Sequence, residues 1–123
     1  MANLSGTWLG TYWQLGNQTR FEATLIQAGN SLSGNILDDN YLGEATLSGE
    51  VIGRQVSFKK RYIIGPKHLI YYVGIVSEDE DFIQGEWHID IFNSGFWEAH
   101  RNQEDLILDL KNRLSEQLPI SLG

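Results

Sequence analysis

The chain has 123 residues, 41% of them hydrophobic, with four tryptophans and no cysteine. That is enough apolar material for one core of ordinary domain size, and it excludes disulfides, thiolate chemistry and cysteine-bound zinc. A formal charge of −7 argues against nucleic acid as a partner, because phosphate binding needs a basic surface.

The opening Met1-Ala2-Asn3-Leu4 has neither a basic segment nor an apolar run of signal length. No stretch approaches the ~18 apolar residues that a transmembrane helix needs. The expectation is a soluble cytoplasmic protein with no membrane partner, one domain over 1–123, with a barrel at 4–101 and a helix and tail at 102–123.

From Leu4 to Arg101 the side chains alternate with period two, interrupted about every ten residues by turn chemistry, as in sandwiches and barrels. The first predicted strand, Gly6 to Gln14, sets Gly6, Trp8, Gly10 and Tyr12 on one face, and Gly16-Asn17 is its predicted turn. The second places Phe21, Ala23 and Leu25 together. Gly29-Asn30 then fits a two-residue hairpin turn with glycine first, which sets Leu25 opposite Gly34 and Ala23 opposite Ile36. The third strand ends in a polar loop, Asp38-Asp39-Asn40. The fourth carries Ala45, Leu47, Gly49 and Val51 inward. A second turn at Gly53-Arg54 sets them opposite Tyr62, Lys60, Phe58 and Val56.

After a turn at 63–67, a sixth strand from His68 to Val76 is apolar on both faces, so periodicity does not tell which is inside. Its outer face invites a cover, either the C-terminal helix or another subunit. Ser77 to Asp81 is an acidic loop. The seventh strand alternates from Ile83 through Gly85, Trp87 and Ile89 to Ile91. Asn93-Ser94-Gly95 reads as a three-residue hairpin, which pairs Ile91 with Trp97, Ile89 with Ala99 and Trp87 with Arg101. Beyond it, Asn102 is a plausible N-cap, and Leu106, Ile107, Leu110, Leu114 and Leu118 form a helical stripe stopped by Pro119.

The resulting fold class is all-β, an antiparallel up-and-down closed barrel of about eight strands with a C-terminal amphipathic α-helix, because a twisted sheet of that size removes its edges by closing. Closure pairs the last strand with the first and brings Trp8 close to Arg101. One end, with Trp8 and tight turns, reads as plugged; the other, with Tyr12, Tyr62 and Trp97, reads as the mouth. Gly6-x-Trp8 opening the first strand, with Arg101 ending the last, resembles the calycin pattern of lipocalins, avidins and fatty-acid-binding proteins. Gly6-Thr7-Trp8-Leu9-Gly10-Thr11-Tyr12 is similar to avidin in particular. The resemblance implies that Gly6, Trp8 and Arg101 form a structural plug, with the arginine packed across the tryptophan. A haem-binding barrel family shares the Gly-Thr-Trp start but carries a late proximal histidine. His100 is expected to point outward, so that activity is not carried over and no cofactor is implied.

Candidate ligand-binding residues are Tyr12, Phe58, Lys60, Tyr62 and Trp97, aromatic and polar groups converging on the mouth. Lys60 either points inward, where a buried ammonium would meet a ligand carboxylate at a lowered pKa, or reaches the rim while the aromatics fill the barrel. Filling is the commoner outcome in small barrels. On the outer face the expected register sets His88 opposite His100 and Asp90 opposite Glu98, a weak metal candidate against the ordinary reading of a solvated charged face. The acidic loop lacks the ligand spacing of an EF-hand. No nucleophile, Walker, Rossmann or metalloprotease motif is present, so no catalytic residue is assigned. The expected function is binding of a small hydrophobic or amphipathic molecule. The alternative is an interaction or structural domain that oligomerises through the helix or strand 68–76. Third comes a barrel enzyme, isomerase-like, acting on a bound ligand.

Overall fold

Eight antiparallel strands follow one another around a closed barrel: β1 Gly6–Gln14, β2 Asn17–Ala28, β3 Ser31–Asp38, β4 Glu44–Ile52, β5 Gln55–Tyr62, β6 Ile70–Val76, β7 Phe82–His88 and β8 Ser94–Arg101. The computed structural model describes residues 2–65 and 68–102. The helix expected after Asn102 lies outside the described residues.

The sheet closes where β1 meets β8, with Trp8 paired to Arg101 and Tyr12 to Trp97. The hairpin registers set by Gly29-Asn30 and Gly53-Arg54 are those the turn chemistry demands: Leu25 faces Gly34, Ala23 faces Ile36, and Ala45, Leu47, Gly49 and Val51 face Tyr62, Lys60, Phe58 and Val56. Gly49 shows why small residues recur on the inner face. A Cβ there would run into the Ser57 carbonyl and the Phe58 backbone, so a glycine lets the neighbouring strand close in. The first turn differs by one residue from expectation. It is Leu15-Gly16, both left-handed at φ 50° and 80°, so Asn17 already belongs to β2.

β6 begins at Ile70, two residues later than its sequence pattern starts. Its inner face is Ile70, Tyr72, Gly74 and Val76, leaving Tyr71, Val73 and Ile75 exposed outside. The larger correction is between β7 and β8. Trp87 pairs with Gly95 rather than Arg101, Ala99 pairs with Ile83 rather than Ile89, and Trp97 pairs with Gly85 rather than Ile91. The strand stops at His88 because the Asp90 carboxylate accepts the backbone amides of Phe92 and Asn93, a local side-chain bond that outcompetes the ladder. Ile91 and Phe92 are thereby expelled into solvent.

Apolar side chains fill the lumen, while Glu22, Lys59, Gln84, Glu86 and Glu98 point outward. That is the reverse of a transmembrane barrel, whose lipid-facing band is apolar. Among the described residues no helix is long and apolar enough to cross a membrane.

One end is sealed. Trp8 is buried, its indole N–H donating to the Leu4 carbonyl at 2.9 Å. Leu4 lies fully buried across it, its amide donating to the Gln27 side chain. The Arg101 guanidinium covers the indole at 4.5 Å and donates to the carbonyls of Asn3, Ser5 and Glu80. Trp8 and Arg101, named from the sequence with Gly6, thus meet at this end, and residues of the segment 2–5 pack and hydrogen-bond with them.

Candidate functional site

At the other end the strand alternation carries five polar or ionisable side chains inward: Tyr12 on β1, Asp38 on β3, Lys60 and Tyr62 on β5, and Tyr72 on β6. Asp38 shares its face with Ile36 and closes β3, although its sequence neighbours Asp39 and Asn40 read as a loop. In register Ile36 lies against Ala45, and Ala45 against Tyr62. The small alanine between them leaves room for Tyr62 and Asp38 to meet.

Lys60 does not reach the rim. Both it and Asp38 have no exposed side-chain surface, and Nζ lies 2.7 Å from Oδ2 and 2.9 Å from Oδ1. The Tyr62 hydroxyl donates to Oδ2 at 2.5 Å, the Tyr12 hydroxyl donates to it at 3.2 Å, and the Asn40 amide donates to Tyr12 at 3.1 Å. Lys60 also reaches the Tyr72 oxygen at 3.5 Å and lies over the Tyr12 and Tyr62 rings at 4.8 and 4.7 Å. Burying two charges is costly unless both are fully paired, and here the pairing is complete. Among the described residues no buried side-chain nitrogen or oxygen lacks a partner.

The surroundings shift these groups in opposite senses. Burial lowers the Lys60 pKa, with Asp38 pulling it partly back. Burial raises the hydroxyls of Tyr12, Tyr62 and Tyr72, and the negative charge of Asp38 adds to each. The tyrosines make an alkaline prediction. Their folded pKa values lie above the unfolded value of about 10, so the stability they lend is intact below that pH and lost as pH rises past it. Lys60 acts the other way, since between its lowered folded value and the ordinary lysine value the unfolded chain holds the extra proton. On an alkaline titration, these three of the five tyrosines should ionise only as the circular dichroism of the barrel disappears. Complete tyrosinate absorbance in a still-native barrel would contradict the buried network.

Beneath the network the lumen is solid. Phe58 and Tyr72 stack at 4.8 Å, and Trp97 meets them edge-on at 5.7 and 5.4 Å while donating its indole N–H to the Val73 carbonyl. Above it opens a cavity of about 280 Å³ bordered by Tyr12, Thr19, Asn40, Tyr62, Tyr72 and Trp87, among others. Of the mouth residues singled out from the sequence, Tyr12 and Tyr62 border this space, Lys60 lies under it, and Phe58 and Trp97 belong to the packed middle. Trp87 arrives there through the corrected register, its indole donating to the Trp13 carbonyl and its ring edge-on to Tyr12 at 6.4 Å. Around the opening, Leu15, Tyr41, Ile64, Ile91 and Phe92 stand exposed on four loops. The turns at the sealed end carry no such residues: they are Gly29-Asn30, Gly53-Arg54 and the acidic loop 77–81.

The outer metal candidates are not brought together. His88 faces Ser94 and stacks on Tyr71 at 5.2 Å, while His100 faces Phe82 at 4.6 Å. Glu98 faces Gln84, and Asp90 is spent on its turn. Among the described residues no group of three or more histidine or acidic side chains could hold a metal ion. The acidic loop serves the fold: Asp79 accepts from Ser77 and the Asp81 amide, and Asp81 pairs with Arg101 at 3.4 Å.

These features define a closed antiparallel β-barrel sealed at one end by a Trp–Arg plug and open at the other over a buried Lys–Asp–Tyr network, an architecture compatible with ligand binding in general. No protein-family model matches the chain, and no curated protein matches it either.

Proposed function

We propose that the protein is a soluble, cytoplasmic, calycin-like barrel that binds a small amphipathic molecule at its open end. The observation that carries this reading is the cavity of about 280 Å³, which is enclosed by aromatic walls, floored by tyrosine hydroxyls and rimmed by exposed apolar side chains. Ligand sites are typically concave and mostly apolar with a few placed polar groups; this one offers the polar groups inside and apolar contacts outside. Tyr12 and Tyr62, with Asn40, Tyr72 and Trp87, are the residues proposed to touch the ligand. Lys60, Phe58 and Trp97 support them from below. The calycin likeness rests on Gly6, Trp8 and Arg101.

A second reading, an interaction domain, is favoured by the outer face of β6, where exposed Val73 and Ile75 flank a groove of about 500 Å³ shared with Ile52. Native mass spectrometry of the protein taken from its own host separates the two. A bound small molecule, released on unfolding, is the expected result. A ligand-free oligomer would favour the β6 face, and a ligand-free monomer would count against both.

A further inference from the structure

The polarity of the cavity is set by a group that no ligand touches. Asp38 is an acceptor only, and its protons come from within the barrel: two contacts from Lys60, one from Tyr62 and one from Tyr12. A phenol has a single proton to give. Tyr62 commits it inward at 2.5 Å. The Tyr12 proton goes to Asp38 or to Tyr62, 3.5 Å away, and in neither case to the cavity. What these two hydroxyls present outward is therefore lone pairs. Tyr12 already receives Asn40, so with the Tyr12 proton on Asp38, the shorter of its two contacts, the Tyr62 oxygen is the free acceptor. Tyr72, which receives Lys60, keeps its own proton and is buried. A ligand hydroxyl meets both demands, donating to Tyr62 and offering lone pairs to Tyr72.

Charge narrows the choice further. Lys60 and Asp38 neutralise each other, so the floor has no counter-ion to give. Among the described residues, the one ionisable side chain bordering the cavity apart from the tyrosines is His68, exposed at the rim. A carboxylate brought to the floor would lose its water and meet no cation, with the neutral Tyr72 hydroxyl as a donor and the Tyr62 lone pairs against it.

We infer that the open end takes neutral amphipathic molecules whose polar end donates a hydrogen bond, a hydroxyl or an N–H, and that it rejects carboxylates. This rests on the proposed reading of the cavity as a small-molecule site. The test compares para-butylphenol, para-butylanisole and para-butylbenzoate by chemical-shift titration of the full chain, all in one buffer near neutral pH. The phenol should bind about tenfold more tightly than the anisole, the worth of one neutral hydrogen bond, and the benzoate no better than the anisole. In Tyr62→Phe the advantage of the phenol over the anisole should disappear, a result that a purely packing role for Tyr62 does not give. Anisole or benzoate binding as tightly as the phenol, or both ligands weakening equally in Tyr62→Phe, overturns the inference and leaves the cavity reading standing. Failure of all three probes to bind takes the inference down together with that reading.

Discussion

Asp38→Ala should cost about 3–5 kcal/mol of folding stability, the range for breaking one partner of a buried ion pair. The substitution leaves the Lys60 ammonium with no exposed surface and no anion, and it removes the acceptor of Tyr62 and Tyr12. Against a total of roughly 5–15 kcal/mol for an ordinary domain, that loss threatens the folded state itself. The double variant Asp38→Leu with Lys60→Met removes both charges, and replacing a buried pair by apolar groups is often neutral. It should therefore cost clearly less than the two single losses added together, and what it does cost is set by the two hydroxyls left without their acceptor. Urea denaturation of Asp38→Leu, Lys60→Met and the double variant gives the coupling directly. Additive losses would mean that the lysine and the aspartate do not depend on each other, and the network described at the mouth would be wrong.

The pair also marks the boundary of what the sequence discloses. Lys60 was legible as a residue of the inner face because Phe58 and Tyr62 flank it at period two and Gly53-Arg54 fixes its register, but whether it stays inside or reaches the rim was not. Asp38 was not, because it sits at the head of an Asp-Asp-Asn run that has the chemistry of a loop. Its burial depends on a lysine on a strand with which it is not paired. The same limit explains β7. Its alternation runs unbroken to Ile91, and only the Asp90 carboxylate, by capping two amides beyond it, ends the strand at His88. Period two reports which side chains share a face; it does not report where a side chain will prefer its own backbone to the ladder. That one misplacement moved Trp87 from the sealed end to the mouth and dissolved the apparent His88–His100 pairing. Where turns are unambiguous, as at Gly29-Asn30 and Gly53-Arg54, both registers follow from the sequence. The exposed apolar rim was out of reach for a related reason, since Leu15, Tyr41, Ile64 and Phe92 lie in or beside turns, where alternation says nothing.

Trp8→Ala should be comparably severe, about 3–5 kcal/mol as for other large-to-small aromatic deletions in cores. Trp8 is among the largest fully buried side chains, and three separate losses coincide there. The ring leaves a void under Leu4, the Leu4 carbonyl loses its indole donor, and Arg101 loses the face on which it lies at 4.5 Å, worth on the order of 0.5–2 kcal/mol alone. Arg101 would still be held by the carbonyls of Asn3, Ser5 and Glu80, so the segment 2–5 has a remaining tie to the barrel and complete collapse is not required. Trp8→Phe keeps most of the ring volume and gives up the N–H. It should cost less than half as much and remain measurable if the alanine variant does not fold. The readout is the shift of the urea midpoint at unchanged m-value. A loss below about 1 kcal/mol for Trp8→Ala would fall outside any cavity-forming range and would mean that the barrel is sealed by the Arg101 hydrogen bonds rather than by the tryptophan. Damage at the sealed end should also stay there. Phe58, Tyr72 and Trp97 pack against one another across the lumen between the plug and the mouth, so a Trp8→Phe barrel that stays folded should keep the para-butylphenol affinity of the parent.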